Sequence, residues 1–282
     1  MRRKKLTSLL ALPYGVYAVI FIAAPLVLIV LYSFCTNPKD GISFTLENFK
    51  TFFDAENPVY LMVLWRSVYI AIISTAICLL LGYPMAYILS NLRPRVRAVL
   101  SVLFVLPMWM NFLLRTYAWM SLLEKTGIIN TALEALGLPT WNIMYTQWAV
   151  VLGNVYNFLP FMILPIYNVL IKIDHSVVEA AEDLGANNWK VFRKVTFPLS
   201  LGGVASGITM TFMPAVTTFV ISKLLGGGQN TLIGDLIEKQ FKSTGNWGFG
   251  SAMSVIIMVL ILLAMNLTSS YEKDKEEGGQ LL

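Results

Sequence analysis

Six stretches of the chain carry no Asp, Glu, Lys or Arg: Leu6 to Pro38, Ser67 to Leu92, Ala98 to Leu114, Ala135 to Ile171, Val195 to Ser222 and Ser243 to Tyr271. Each reaches or approaches the roughly 20 residues that a helix rising about 1.5 Å per residue needs to cross about 30 Å of hydrocarbon. The pattern predicts transmembrane helices near 9–33, 67–90, 98–122, 147–171, 199–221 and 249–268. A β-barrel strand alternates lipid-facing and lumen-facing residues, whereas Ala76 to Leu81 and Val255 to Leu260 are continuously apolar. The expected fold class is therefore all-α, a polytopic membrane protein with one transmembrane domain over 1–282, a loop at 172–198 and a solvated tail at 271–282.

Pro25, Pro107 and Pro214 fall inside helices one, three and five, where each removes a backbone donor. Such interruptions are tolerated where neighbouring helices or water satisfy the freed carbonyls, which favours a bundle around a polar path. Between the fifth and sixth spans, Leu232, Ile233, Leu236 and Ile237 share one helical face, while Asp235, Glu238 and Lys239 take the other. That spacing predicts a short amphipathic helix at the outer mouth.

Composition agrees with the pattern, since 56% of residues are hydrophobic and 13% are charged. The net charge of +5 gains meaning from its distribution. An N-terminus inside the cell puts Arg2, Arg3, Lys4, Lys5, Arg93, Arg95, Arg97, Lys172, Lys190, Arg193, Lys194, Lys273 and Lys275 in the cytoplasm. Outside fall Lys39, Lys50, Lys125, Lys223, Lys239 and Lys242, a ratio of about two to one that predicts cytoplasmic termini. The excess charge is thus a topology signal and no nucleic acid partner is expected. The basic start followed by Leu9 to Leu12 is not read as a signal peptide, because the apolar run continues past Tyr32. Cys35 and Cys78, near or within spans, are expected to be packing residues.

The longest polar interruption on the cytoplasmic side is 172–198. Ser176 followed by Glu179 predicts a capping box, and hence a helix carrying Ala180, Ala181 and Leu184 on a small, smooth face. Gly185 supplies the left-handed residue that closes it. Asn187 or Asn188 can cap a second short helix, and Pro198 is expected to mark a break before helix five.

Glu179-Ala180-Ala181, three residues, Gly185, nine residues and Val195-Thr196-Phe197-Pro198 resemble the EAA loop of binding-protein-dependent ABC importer permeases, which usually ends in Ile-x-Leu-Pro. Leu80 to Tyr87, Pro107 to Tyr117, Asn230 to Asp235 and Trp247 to Gly250 extend the likeness over nearly the whole chain, toward the polyamine (spermidine/putrescine) branch of that family. The resemblance implies a type I importer permease fold in a bacterial inner membrane. It implies a second permease subunit forming a heterodimer, two cytoplasmic ATPase subunits that bind ATP and Mg, and an extracytoplasmic substrate-binding protein. It also assigns ATPase coupling to Glu179, Ala180, Ala181, Leu184, Gly185 and Pro198.

The chain itself has no Gly-x-x-x-x-Gly-Lys-Ser/Thr phosphate loop, so no enzymatic activity or cofactor of its own is expected. A polyamine path calls for carboxylates and aromatic faces. Candidates are Trp109, Asn111, Tyr117, Trp119, Glu124, Tyr156, Asp235 and Glu238, although Trp and Tyr also serve as ordinary interface anchors. Asn111, Arg115 and Trp119 recur every four residues; on a straight helix Arg115 lies roughly 27 Å beyond Arg97, placing it to snorkel at the outer surface. A positive charge there does not suit a cation path, and sulfate, molybdate or ferric iron permeases of the same mechanism are the alternatives. An ion-coupled carrier or an intramembrane enzyme would bury Asp, Glu or His within a span, and none lies there.

Overall fold

The computed structural model describes residues 12–36 and 43–278, with side chains for 13–36 and 43–266. The basic residues at 2–5, Lys39, the expected helix start at residue 9 and the last four residues of the tail lie outside that range. The described elements are helical throughout: α1 Leu12–Ala18, α2 Ala24–Ser33, α3 Glu47–Phe52, α4 Val59–Ser90, α5 Pro94–Trp109, α6 Phe112–Leu123, α7 Ile128–Ala135, α8 Gln147–Leu170, α9 His175–Asp183, α10 Asn188–Val191, α11 Phe197–Thr217, α12 Val220–Leu225, α13 Ile233–Lys239 and α14 Trp247–Gly278. Five runs are long and apolar enough to cross a membrane, and a bent pair makes a sixth. The backbone at 271–278 continues α14 and does not end the helix before the tail.

Two prolines expected to interrupt helices are absorbed by the same device. A π turn at Val19–Ala23 precedes Pro25, and another at Phe192–Thr196 precedes Pro198. Their wide bonds, Ala24 N–H to Val19 O and Phe197 N–H to Phe192 O, shift the register just before the residue that cannot donate. The break predicted at Pro198 therefore does not form, and Asn188–Thr217 is one apolar run of 30 residues.

The third span departs furthest from expectation. Pro107 stays within α5, and the chain turns by 91° just beyond Trp109. Asn111 starts α6 by accepting from Leu113 N–H at 2.8 Å and Leu114 N–H at 3.4 Å, so it is a cap rather than the first rung of a stripe. The straight-helix arithmetic for Arg115 fails with it: Arg115 is buried, and among the described residues its Nε and Nη1 have no hydrogen-bond partner.

The chain divides into two compact units, 1–61 with 236–260, and 62–235 with 261–282. In the first, Asn48 Nδ2 donates to Ser33 O at 3.1 Å and Cys35 O at 2.9 Å, tying α3 to the end of α2. Tyr60 packs edge-on to Phe249 at 4.9 Å beside the buried Phe52.

In the second unit α8 is the hub. Its Met162, Ile163, Ile166 and Leu170 form a core with Cys78, Tyr83 and Ala86 of α4 and Val204 of α11. Lipid is as apolar as leucine, so close backbone approach holds such helices together more than burial does. Gly203 and Gly207, four residues apart on α11, provide it: a Cβ on Gly203 would lie 2.9 Å from Pro165 O, and one on Gly207 would lie 2.8 Å from Met162 Sδ. Asn154 donates across to Ser74 at 3.4 Å, whereas Asn157 donates within its own helix to Gly153 O at 2.8 Å. Both cysteines are free and buried, as packing residues should be.

Candidate functional site

The segment between α8 and α11 is built by caps. Asp174 Oδ1 accepts from Ser176 N–H at 3.0 Å, so the helix starts two residues earlier than a Ser176 cap requires and the predicted Ser176–Glu179 capping box is not formed. A carboxylate both accepts the orphan donor and opposes the positive end of the helix, which gives Asp174 the advantage over a hydroxyl. The Ser176 N–H in turn holds the Asp174 carboxyl below its usual range. Glu179, displaced from the box, lies 3.8 Å from His175, with both side chains exposed.

At the other end Gly185 has φ +80°, its N–H bonds Glu182 O at 2.8 Å, and Ala186 N–H bonds Ala181 O at 3.1 Å. This is a Schellman closure, and it needs the left-handed residue where the sequence puts glycine. Among the described residues a Cβ there would meet nothing within 4 Å, so the requirement lies in the backbone and not in packing. Asn187 Oδ1 then accepts from Lys190 N–H at 2.9 Å to start α10. Leu184 projects from the elbow at 89% exposure, with Ala180 also exposed and Ala181 half-buried.

An aromatic cluster that no pattern in the loop predicted anchors this segment to the spans. Phe192 meets Trp189 at 5.6 Å, Tyr83 at 5.9 Å, Tyr87 at 5.4 Å and Phe197 at 6.2 Å. Tyr83 OH and Ser200 Oγ share a hydrogen bond of 2.8 Å. The signal was present as Tyr83 and Tyr87, four apart on one face of α4, and Phe192 and Phe197 either side of a wide turn. Beside this anchor a cavity of about 370 Å³ separates part of α9 from the α4–α5 turn, lined by Tyr87, Ser90, Asn91 and Arg97 opposite His175, Val178 and Glu182. Contact is firm on the aromatic side and open on the other.

The remaining predicted residues lie on other elements, apart from this segment. Trp119 and Tyr156 come together edge-on at 5.1 Å. Trp109 and Tyr117 stand exposed on α5 and α6. Glu124 ends α6, and one of its oxygens accepts from Tyr145 OH at 3.3 Å, a partner absent from the predicted set. Asp235, expected on a solvated face, is buried, because its carboxylate accepts from Leu232 N–H at 2.8 Å while Ser67 Oγ accepts from Ile233 N–H at 2.8 Å. Those are the orphan donors at the start of α13, so burying that end demanded acceptors. Glu238 pairs with Lys242 at 3.0 Å.

A family described as the binding-protein-dependent transport system inner membrane component matches residues 78–274, a stretch that contains the whole capped segment and its aromatic anchor. The chain belongs to this family.

As a binding-protein-dependent permease component, it is 40% identical over 254 residues to the spermidine/putrescine transport system permease protein PotB of Haemophilus influenzae, covering 88% of this chain and 87% of that one. It is 38% identical to PotB of Escherichia coli strain K12, covering 88% and 92%, and 30% identical to the inner membrane ABC transporter permease protein YdcU of the same strain, covering 78% and 73%. A bacterial ABC transporter that imports alginate shares the fold with a TM-score of 0.78 at 16% identity, over 95% of this chain and 96% of that chain. A methionine ABC transporter, MetNI, in inward-facing form gives 0.56 at 18% identity, over 77% and 96%. The permease component is thus an all-helical, multi-pass protein of an inner-membrane transporter family with the fold of ABC importer permeases.

Proposed function

We propose that this chain is one permease subunit of an ATP-driven importer of polyamines. It works with a second permease subunit, two ATPase subunits that bind ATP and Mg, and an external binding protein that delivers spermidine or putrescine. The observation that carries the substrate is the 38–40% identity to polyamine permeases over 88% of the chain. What supports the mechanism is the segment at 174–198, which ends in an exposed elbow on one side and an aromatic anchor to α4 and α11 on the other.

In this reading the elbow lies in the cytoplasm, seated in a cleft of an ATPase subunit through Glu179, Ala180, Ala181, Leu184 and Gly185. Closure of the two ATPases around ATP displaces it. Phe192 and Phe197 pass that displacement to Tyr83, and so to the spans, while the cavity beside α9 gives the helix room to pivot. Pro198, held helical by the π turn, lets the push run directly into α11. Moving a two-state equilibrium from 1:99 to 99:1 takes about 5.5 kcal/mol, so a lever that yields along its length would waste the stroke.

The deciding experiment is ATP-dependent uptake of labelled spermidine, putrescine and sulfate into vesicles holding the assembled complex. Uptake of either amine, with none of sulfate, is expected. Sulfate uptake without amine uptake would assign the chain to another solute, and uptake driven by an ion gradient without ATP would remove the importer reading altogether.

A further inference from the structure

Tyr145 is, among the described residues, the non-glycine with a left-handed backbone, at φ 65°. That conformation is strained for a residue with a Cβ and persists only where its surroundings hold it. Here they hold it from three directions. Its N–H donates to Leu225 O at 2.9 Å, its C=O accepts from Asn230 Nδ2 at 3.1 Å, and its hydroxyl donates to Glu124 Oε2 at 3.3 Å. Its ring covers Gly227, itself left-handed, where a Cβ would collide with the ring. The strain therefore aims one phenol at one carboxylate.

Glu124 is fixed in the same way. Its C=O accepts from Gly127 N–H at 2.8 Å and from Asn130 Nδ2 at 3.1 Å. Asn130 is fully buried, and it also donates to Trp141 O at 3.1 Å and accepts from Trp141 N–H at 2.7 Å. One buried amide thus sets the backbone of the carboxylate and of an exposed tryptophan together. Segment 124–145 is in this respect a scaffold and not a slack connection.

Resting on the amine-import reading above, we infer that Glu124 and Tyr145 form an entry site for an alkylammonium group at the mouth of the path. Among the described residues Oε1 of Glu124 has no hydrogen-bond partner, and the phenol oxygen still has lone pairs to offer. A primary ammonium has three donors and a compact charge, which suits two oxygens beside an aromatic ring. A guanidinium fork prefers both oxygens of a carboxylate, and Tyr145 already occupies one. The Glu124 charge raises the Tyr145 phenol above its ordinary value, so the phenol stays protonated and goes on orienting the carboxylate at physiological pH.

The test uses the whole transporter with its ATPase and binding-protein partners in lipid vesicles, at saturating loaded binding protein. Labelled spermidine uptake is compared for the wild type, Glu124→Gln, Glu124→Asp, Tyr145→Phe and Glu134→Gln, alongside the affinity of the binding protein for each. Losing a charge-assisted contact is expected to lower turnover about tenfold in Glu124→Gln and about threefold in Tyr145→Phe, with Glu124→Asp recovering most of it and Glu134→Gln, an exposed charge on α7, unchanged. Binding-protein affinity should stay constant throughout. Wild-type uptake in Glu124→Gln overturns the site, as does a fall in uptake matched by a fall in binding-protein affinity, which would make Glu124 a docking contact. Should Glu124→Gln fail to assemble, Tyr145→Phe removes a single oxygen and decides alone. A wild type that imports no amine sinks the substrate reading, and is told apart from failure of the site because it needs no variant.

Discussion

Gly185 and Asp174 show how much of the coupling segment depends on single backbone positions. No neighbour crowds Gly185, so Gly185→Val is penalised only by forcing a β-branched residue left-handed, about 1–2 kcal/mol. The expected result is normal membrane insertion with uptake per ATP hydrolysed sharply reduced, and Gly185→Asn, which tolerates that conformation, close to wild type. Asp174→Ala should fray the start of α9, seen as faster exchange of the amides at 176–178. The sign with pH follows from the lowered carboxyl: its cap contribution is complete above the unfolded-state value and is lost as pH falls through the folded value, so neutral pH leaves the segment intact. The glycine was legible in the sequence because left-handed positions select for it. The cap was not, because Asp174 and Ser176 both qualify and the charge of the carboxylate at the helix start decided between them.

Among the helices, the long apolar helices coincide with the charge-free runs of the sequence, since charge exclusion from lipid is a strong constraint. Where helices end or bend inside an apolar run is set by hydrogen bonding, which hydropathy does not register. Thus α5 turns at Asn111 and not at Pro107, and α10 flows through Pro198 because a π turn comes first. Packing between α8 and α11 was equally invisible, although adjacent glycines now separate cleanly. Gly203→Leu must drive into the backbone of Pro165 and Ile166 and should cost about 1–3 kcal/mol, lowering the melting temperature and yield of the complex. Gly202→Ala meets nothing within 4 Å and, as a helix-interior change, should raise stability by up to about 1 kcal/mol. Equal behaviour of the two in a thermal melt would contradict the packing described.

For the molecule as a whole, the proposed mechanism requires the elbow at Leu184 and the scaffold around Asn130 to face opposite compartments. They sit beyond opposite ends of α8, and a helix of that length covers the hydrocarbon thickness. Both native cysteines are buried, so a single introduced thiol can report its side without a background from either. Ile128→Cys, on the exposed face of α7, should react with a membrane-impermeant maleimide in intact cells. Leu184→Cys should react only after permeabilisation, and should be protected when the ATPase subunit is present, because this exposed side chain would then lie in the partner's cleft. Labelling of Leu184→Cys from outside intact cells would put the elbow beyond reach of any cytoplasmic ATPase, leaving the glycine closure and the aromatic anchor without a load to transmit.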